Sequence, residues 1–243
     1  MIQITGLYKS FRNKPVLRGV DLQISSGETT AIIGRSGSGK SVLLKHIVGL
    51  LQPDAGKVII EGSDIGELSK REIYQIRKKF GFLFQGAALF DSMTVGENVG
   101  LPIVENNPGV SQSEVEKIAE EKLELVGLPG IQNLKPAELS GGMKKRVGLA
   151  RALVTDPSYI LYDEPTTGLD PIMSDSIDML VRELSGKLNV TSIVVTHDMV
   201  SVKNVADKVA MIHEGRVYFH GSPDDLLNSQ DEVIENFIKR TGF

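Results

Sequence analysis

Gly34-Arg35-Ser36-Gly37-Ser38-Gly39-Lys40-Ser41 stands between the apolar run that begins at Thr29 and a stretch with helical spacing, Lys40 to Leu50. The pattern is G-x4-G-K-[ST], set in the order strand, loop, helix. Glycines at these positions let successive backbone N–H groups converge on phosphate oxygens without side-chain clash. The N-terminus of the following helix adds partial positive charge. Lys40 is placed to neutralise the β- and γ-phosphates, and the Ser41 hydroxyl to ligate magnesium. A glycine-rich turn that only caps a helix is the bland alternative. The stretch predicts a nucleotide-binding core of α/β type.

Downstream, Leu139-Ser140-Gly141-Gly142-Met143 is a second glycine turn, opening a helix that runs to Thr155. Beyond it, the apolar run Tyr159-Ile160-Leu161-Tyr162 ends in Asp163-Glu164. A carboxylate at the end of a buried parallel strand is costly unless it finds a cation. Asp163 is therefore expected in the magnesium shell and Glu164 as the group that polarises the attacking water. Two acids capping the next helix are the alternative. The Ser140 turn supplies another set of phosphate ligands, on the far side of the nucleotide. One chain cannot easily fold both sets around a single ATP, so two chains are expected to close on it together.

The remaining organisation follows from periodicity. Ile2 to Leu7, Val16 to Ile24 and Thr29 to Gly34 read as strands, as do Lys57 to Glu61 and Gly81 to Phe84, with the charged helix Lys70 to Lys79 between the last two. Ser111 to Val126 reads as a helix with a capping box, Ser111 and Glu114, and an apolar side of Val115, Ile118, Leu123 and Val126. After Pro157 the pattern is strand, helix, strand: Tyr159 to Tyr162, Pro171 to Leu188, Val190 to Thr196. Alternation of this kind implies a mostly parallel sheet covered on both faces. The expected divisions are a nucleotide-binding core, 1–85 and 158–221, with an N-terminal antiparallel β subdomain, a helical subdomain, 86–157, and a helical tail, 222–243. Packing of the tail on the core is expected; holding a partner is the alternative.

Composition narrows the class. The chain has 243 residues, 27 Lys plus Arg against 31 Asp plus Glu, a net charge of −4, and no cysteine. A mildly acidic chain lacks the basic footprint of a nucleic-acid binder, so no nucleic acid is expected as a partner. Arg77-Lys78-Lys79 and Lys144-Lys145-Arg146 are expected on solvated helix faces. Disulfides and thiolate metal sites are excluded. Met1 to Thr5 shows no secretory pattern, and no apolar run nears the ~20 residues that span a bilayer, so membrane contact is expected only through a partner.

Three single residues complete the pattern. Gln85 ends one strand, where its amide reaches toward metal or water; His197 ends another on the same sheet edge, facing the γ-phosphate; Asp170 follows Gly168-Leu169 and serves equally as a helix cap before Pro171. In order, the phosphate loop, Gln85, Leu-Ser-Gly-Gly, the acidic strand, Gly-Leu-Asp and His197 resemble the ATP-binding-cassette ATPases, from about Ile2 to Leu227. The resemblance implies a P-loop ATPase fold and a head-to-tail homodimer around two ATP and Mg2+. Gly34 to Ser41 and Val42 of one subunit would face Ser140, Gly141 and Gly142 of the other. Gln85, His197, Lys40 and Glu164 would form the catalytic group; Ser41, Gln85 and Asp163 would hold the metal. Phe11 sits where the family stacks an aromatic on adenine, usually Tyr, and Val16 would flank the base. Met143 replaces the more usual Gln, which marks a subgroup.

Phe84 to Val95, Leu139 to Arg146 and Leu161 to Pro171 are similar, within that family, to the ATPases of MCE-associated phospholipid transporters of double-membraned bacteria. This likeness implies an integral membrane permease, an MCE lipid-binding protein and a small regulatory protein as partners, and a place at the cytoplasmic face of the inner membrane. A different, non-lipid transporter remains open. So does a soluble remodelling ATPase, although the second cassette, coiled-coil insertion or zinc-binding cysteines usual in such relatives are not visible. A small-molecule kinase gives no reason for Leu139 to Met143.

Overall fold

The computed structural model describes residues 1–241; the last two residues of the expected tail, 242 and 243, lie outside the described residues. The chain begins with a hairpin, β1 (Ile2–Phe11) and β2 (Lys14–Ile24). Arg12 and Asn13, both left-handed at φ 47° and 64°, turn it, as a two-residue hairpin loop requires. Its tip extends past the sequence-predicted strand ends because Phe11 still pairs with Lys14, although the side chains there are exposed and carry no apolar signal.

Next come β3 (Thr29–Ile33), α1 (Lys40–Ile47), β4 (Ala55–Ile60), β5 (Ser63–Asp64), α2 (Lys70–Arg77) and β6 (Phe80–Leu83). A helical region follows, with α3 (Val95–Asn106), α4 (Gln112–Leu125), a short 3-10 turn (Pro136–Glu138) and α5 (Gly141–Leu153). The chain then returns to β7 (Tyr159–Asp163), α6 (Pro171–Leu188), β8 (Thr191–Val195) and α7 (Met199–Val205). It ends in β9 (Lys208–His213), β10 (Arg216–Gly221), α8 (Pro223–Leu227) and α9 (Glu232–Arg240).

Two sheets result. One is antiparallel, in the order β2-β1-β4-β5; the other runs β10-β9-β3-β8-β7-β6 and is parallel except for the β9–β10 pair. Every residue of β3 and β8 is buried, the mark of strands covered on both faces. Side chains of β7 show why: Tyr159 and Leu161 join a core with α1 and the antiparallel sheet, while Ile160 and Tyr162 join a second core with α3 to α6. Ala31 and Ile33 of β3 meet Met199, Leu226, Ile234 and Phe237 in a third, so the tail packs on the sheet.

The parallel register brings the C-terminal ends of β3, β6, β7 and β8 to one edge, with Leu83 opposite Tyr162, Tyr162 opposite Val194 and Ile32 opposite Val195. Ligands of open α/β sheets bind at such an edge.

Several sequence expectations change. Helix α3 hides behind Gly96, Gly100 and Pro102. A Cβ on Gly100 would lie 2.4 Å from Val115 Cγ1, so the glycine serves close helix packing. The full capping box belongs to Thr94 and Glu97 of that helix. At Ser111 only half exists: its hydroxyl accepts from the Glu114 N–H at 3.3 Å. The basic runs are solvated only in part: Lys79 pairs with Glu61 at the surface, while other members turn inward. Arg77 donates to Val48 O at 3.1 Å and Gly49 O at 2.7 Å; Arg146 donates to Val126 O at 3.0 Å and Ser176 Oγ at 2.7 Å. Lys145 is buried, at 5% exposure. In each case the charge satisfies carbonyls that have left regular structure.

Candidate nucleotide site

β3 stops at Ile33 because Gly34 adopts φ 147°, and a Cβ there would come within 2.3 Å of Ile212 O. The loop then curls, with the Ser38 N–H donating to Arg35 O at 3.1 Å. The Ser38 hydroxyl is buried without a partner. Gly39 precedes α1 at φ 109° and offers no side-chain cap, so the first N–H groups of α1 lack a side-chain acceptor. Lys40 lies half-buried across the loop, donating to Gly34 O at 2.7 Å and Arg35 O at 3.2 Å. Burial lowers its pKa, and the Glu164 and Asp163 carboxylates oppose that shift. An unfilled helix end, an orphan hydroxyl and an ammonium form a cradle for an anion.

A cavity of about 810 Å³ opens over this cradle, lined by Val16, Gly34, Arg35, Ser36, Gly37, Gly39, Lys40, Ser41, Val42, Gln85, Asp163, Glu164, Val195 and His197. Glu164 sits one residue past β7 in the left-handed region, φ 51°, a conformation costing a non-glycine residue about 1–2 kcal/mol. Its carboxylate is held by the Thr167 hydroxyl at 3.1 Å and by His197 Nδ1, 2.9 Å from both oxygens. That holds one face of His197 while 62% of its side chain stays exposed. Burial pushes the Asp163 carboxyl up, as does Glu164; Lys40 and Lys145 pull it back. The site thus stores negative charge that a cation relieves. Its donors are all oxygens, a hydroxyl (Ser41), an amide (Gln85) and a carboxylate (Asp163). That set suits Mg2+ shared with phosphates better than an all-protein cage.

The other expected site residues lie elsewhere. Phe11 is 43% exposed at the hairpin tip and outside the cavity wall, although Val16 is in it. Ser140, Gly141 and Gly142 are also outside that wall, with the Ser140 hydroxyl accepting from the Met143 N–H at 3.3 Å. Asp170 caps α6, accepting from the Met173 N–H at 3.0 Å, so within one chain its geometry is that of the helix cap.

Two contributors escaped the sequence. Phe237, Arg240 and Thr241, at the end of α9, complete the cavity wall; only long-range packing brings them there. Lys145 reaches under the site from α5, donating to the main-chain oxygens of Gln85 and Glu164. Its signal was positional: it shares a helix face with Gly148 and Ala152, which are buried.

Residues 17–167 match the family described as "ABC transporter". The chain belongs to the ABC transporter ATPases. The order of motifs had pointed there. The cassette is 42% identical over 237 residues to the "probable ribonucleotide transport ATP-binding protein mkl" of Mycobacterium leprae, covering 98% of this chain and 68% of that protein. It is 42% identical over 239 residues to the "intermembrane phospholipid transport system ATP-binding protein MlaF" of Haemophilus influenzae, covering 98% of this chain and 90% of that protein. Among solved structures it resembles the dimeric ATP-binding cassette MJ0796 in a post-hydrolysis state bound to ADP and Pi. There the TM-score is 0.82 at 34% identity, covering 92% of this chain and 99% of that one. The cassette is an ATP-binding ATPase of the α/β ABC fold, with an antiparallel N-terminal sheet. Among the described residues no helix is long and apolar enough to cross a membrane.

Proposed function

We propose that the cassette energises a phospholipid transporter as a head-to-tail homodimer, each ATP lying between Gly34 to Val42 of one copy and Ser140 to Gly142 of the other. The observation that carries the dimer is the division of ligands: the Ser140 turn opens a helix outside the cavity that holds Lys40, Glu164 and His197. The dimeric arrangement of MJ0796 supports it. In this arrangement Val16 flanks the base and Phe11 stacks on it, the loop N–H groups and Lys40 grip the phosphates, and Asp170 of each copy lies close to the other's nucleotide.

Glu164 orients and deprotonates the attacking water, and His197, fixed through Nδ1, turns its free ring edge toward the γ-phosphate. Ser41, Gln85 and Asp163 would hold Mg2+, which when bound supplies charge neutralisation on the phosphate oxygens. Hydrolysis and phosphate departure remove the charge that drew the Ser140 turns inward, and the copies part. Gln85 and residues 86–94 join the core to the helical subdomain. A groove beside them, lined by Phe82, Phe84, Phe90, Leu101 and Arg151, is where a cytoplasmic helix of an integral membrane permease seats, on the inner-membrane face. An MCE lipid-binding protein and a small regulatory protein complete the assembly.

The lipid assignment rests on the motif wording and on the MlaF relative. The name of the mycobacterial relative favours a second reading, a transporter of another solute. Isolation of the tagged cassette with its permease from membranes decides between them. A lipid-stimulated ATPase and co-purified phospholipid are expected. Stimulation by a soluble solute with no response to lipid overturns the lipid reading.

A further inference from the structure

Lys145 is the only buried lysine among the described residues. From the first turns of α5 its ammonium donates to the main-chain oxygen of Gln85 and, at 3.1 Å, to that of Glu164. Both acceptors lie just beyond strand ends, where β6 and β7 have stopped supplying partners. Glu164 itself is left-handed at φ 51°, and the segment that Gln85 opens turns left-handed at Ala87 and Ala88, φ 58° and 48°. Such conformations persist only when their surroundings over-determine them. An ammonium has three donors on one atom, so it can hold two carbonyls from different loops at once. A buried cation is expensive, and burial lowers its pKa against the pull of Glu164 and Asp163. A neutral donor would satisfy either carbonyl more cheaply. Only a multi-donor group on this helix ties the two together. α5 can approach closely because Gly148 and Gly81 lack side chains: a Cβ on Gly81 would lie 2.2 Å from Ala152 O.

We infer that Lys145 is a positioning residue for ATP hydrolysis. It fixes the main chain of Gln85 and Glu164 to the helix that begins at Ser140, so that their side chains are aligned only while that helix is seated. This rests on the assignment of Glu164 as the water-orienting group. It extends that assignment by placing control of the alignment in the helical subdomain, whose Ser140 end meets the partner copy's nucleotide. Lys145 touches neither nucleotide nor water in this role; it acts through two carbonyls.

The test compares Lys145→Met, which keeps length and loses the donors, with Lys145→Arg and Lys145→Gln, which keep donors. Each full-length variant is assayed for ATP dissociation constant, kcat, KM and melting temperature. Misalignment of this kind costs on the order of 10²-fold in rate. Lys145→Met is expected to lose about that factor in kcat with an ATP dissociation constant within about twofold of wild type, and at least one donor-bearing variant to recover most of it. Lys145→Met combined with Glu164→Gln is expected to be no slower than Glu164→Gln alone, as for residues acting as a unit. Retained kcat in a folded Lys145→Met overturns the inference. So does a loss that appears equally in nucleotide affinity, or one that neither Arg nor Gln relieves. Undiminished turnover by Glu164→Gln instead removes the catalytic assignment beneath it, whatever the Lys145 variants do.

Discussion

Two helix N-termini in this chain are proposed to meet phosphate, and they are built on different terms. α1 begins after Gly39 with no side-chain cap, and Lys40 lies beside it with its ammonium on carbonyls of its own loop. α5 begins after Ser140, whose hydroxyl already accepts from the Met143 N–H. The first end is incomplete without an anion. The second has one of its N–H groups capped within its own chain, which leaves the Ser140 hydroxyl proton free to donate outward. In the proposed dimer, affinity for nucleotide belongs to the α1 side and closure to the α5 side, whose contact would form after the loop is loaded. Substitutions that separate binding from turnover test this division.

The largest effect is expected at the acid between the two ends. Glu164→Gln keeps the volume, the hold of His197 and nucleotide binding. It removes the proposed general base, a group that contributes typically ~10²–10⁴-fold. Turnover should fall by that factor while the dimer persists with ATP in gel filtration; a variant that hydrolyses at full rate ends the role assigned to Glu164. Lys40→Ala comes next. A hydrogen bond to a charged group is worth about 1.5–3 kcal/mol, so ATP should bind roughly 10–10²-fold more weakly in titrations of dilute, monomeric protein. Ser140→Ala should leave that monomer affinity unchanged and lower kcat about tenfold, the lower end of the same range. A Ser140→Ala variant that binds ATP more weakly as a monomer would erase the contrast between the two helix ends.

The sequence revealed these ends unequally. The phosphate loop is legible because its geometry excludes alternatives: Gly34 has no room for a Cβ, and only a lysine and a hydroxyl complete the cradle. β7, α6 and β8 are legible because they are long periodic or continuous apolar runs, and Asp170-Pro171 marks the start of α6. Lys145, Arg146 and Arg77 were misread for one reason: charge in a sequence signals water, and nothing local records that a carbonyl from another loop awaits the side chain. α3 was obscured by glycines and a proline that serve packing. The hairpin tip, with Phe11, was obscured because main-chain pairing there buries no side chains. Phe237 and Arg240 enter the cavity wall from more than 190 residues beyond Lys40, a distance that periodicity does not cross.

Asp178 tests whether buried acid elsewhere behaves as the acids of the site do. It lies on α6 facing α7, 2% exposed. One oxygen is 3.4 Å from Asn204 Nδ2 and the other has no partner. Burial pushes its carboxyl up to about 6, with Asp198 and Asp175 adding to the rise, while Asn204 and Ser201 pull it down. Asp163 is raised by the same desolvation, but Lys40 and Lys145 stand beside it. Asp178 has no cation among its influences. The folded chain holds this proton to about pH 6, whereas an unfolded aspartate releases it near ~4. The folded state binds more protons in that window, so stability falls as pH rises through it and stays lower above it. The contribution is on the order of 1–3 kcal/mol, or roughly 2–10 °C in a chain of this size. Asp178→Asn carries no such proton. It should melt higher than wild type at pH 8, and the difference should shrink as pH is lowered through about 6 toward 4. Equal melting temperatures at pH 8 would mean that the carboxylate finds compensation in the folded state. The contrast with Asp163, an acid held at the site by its cations, would then lose its basis.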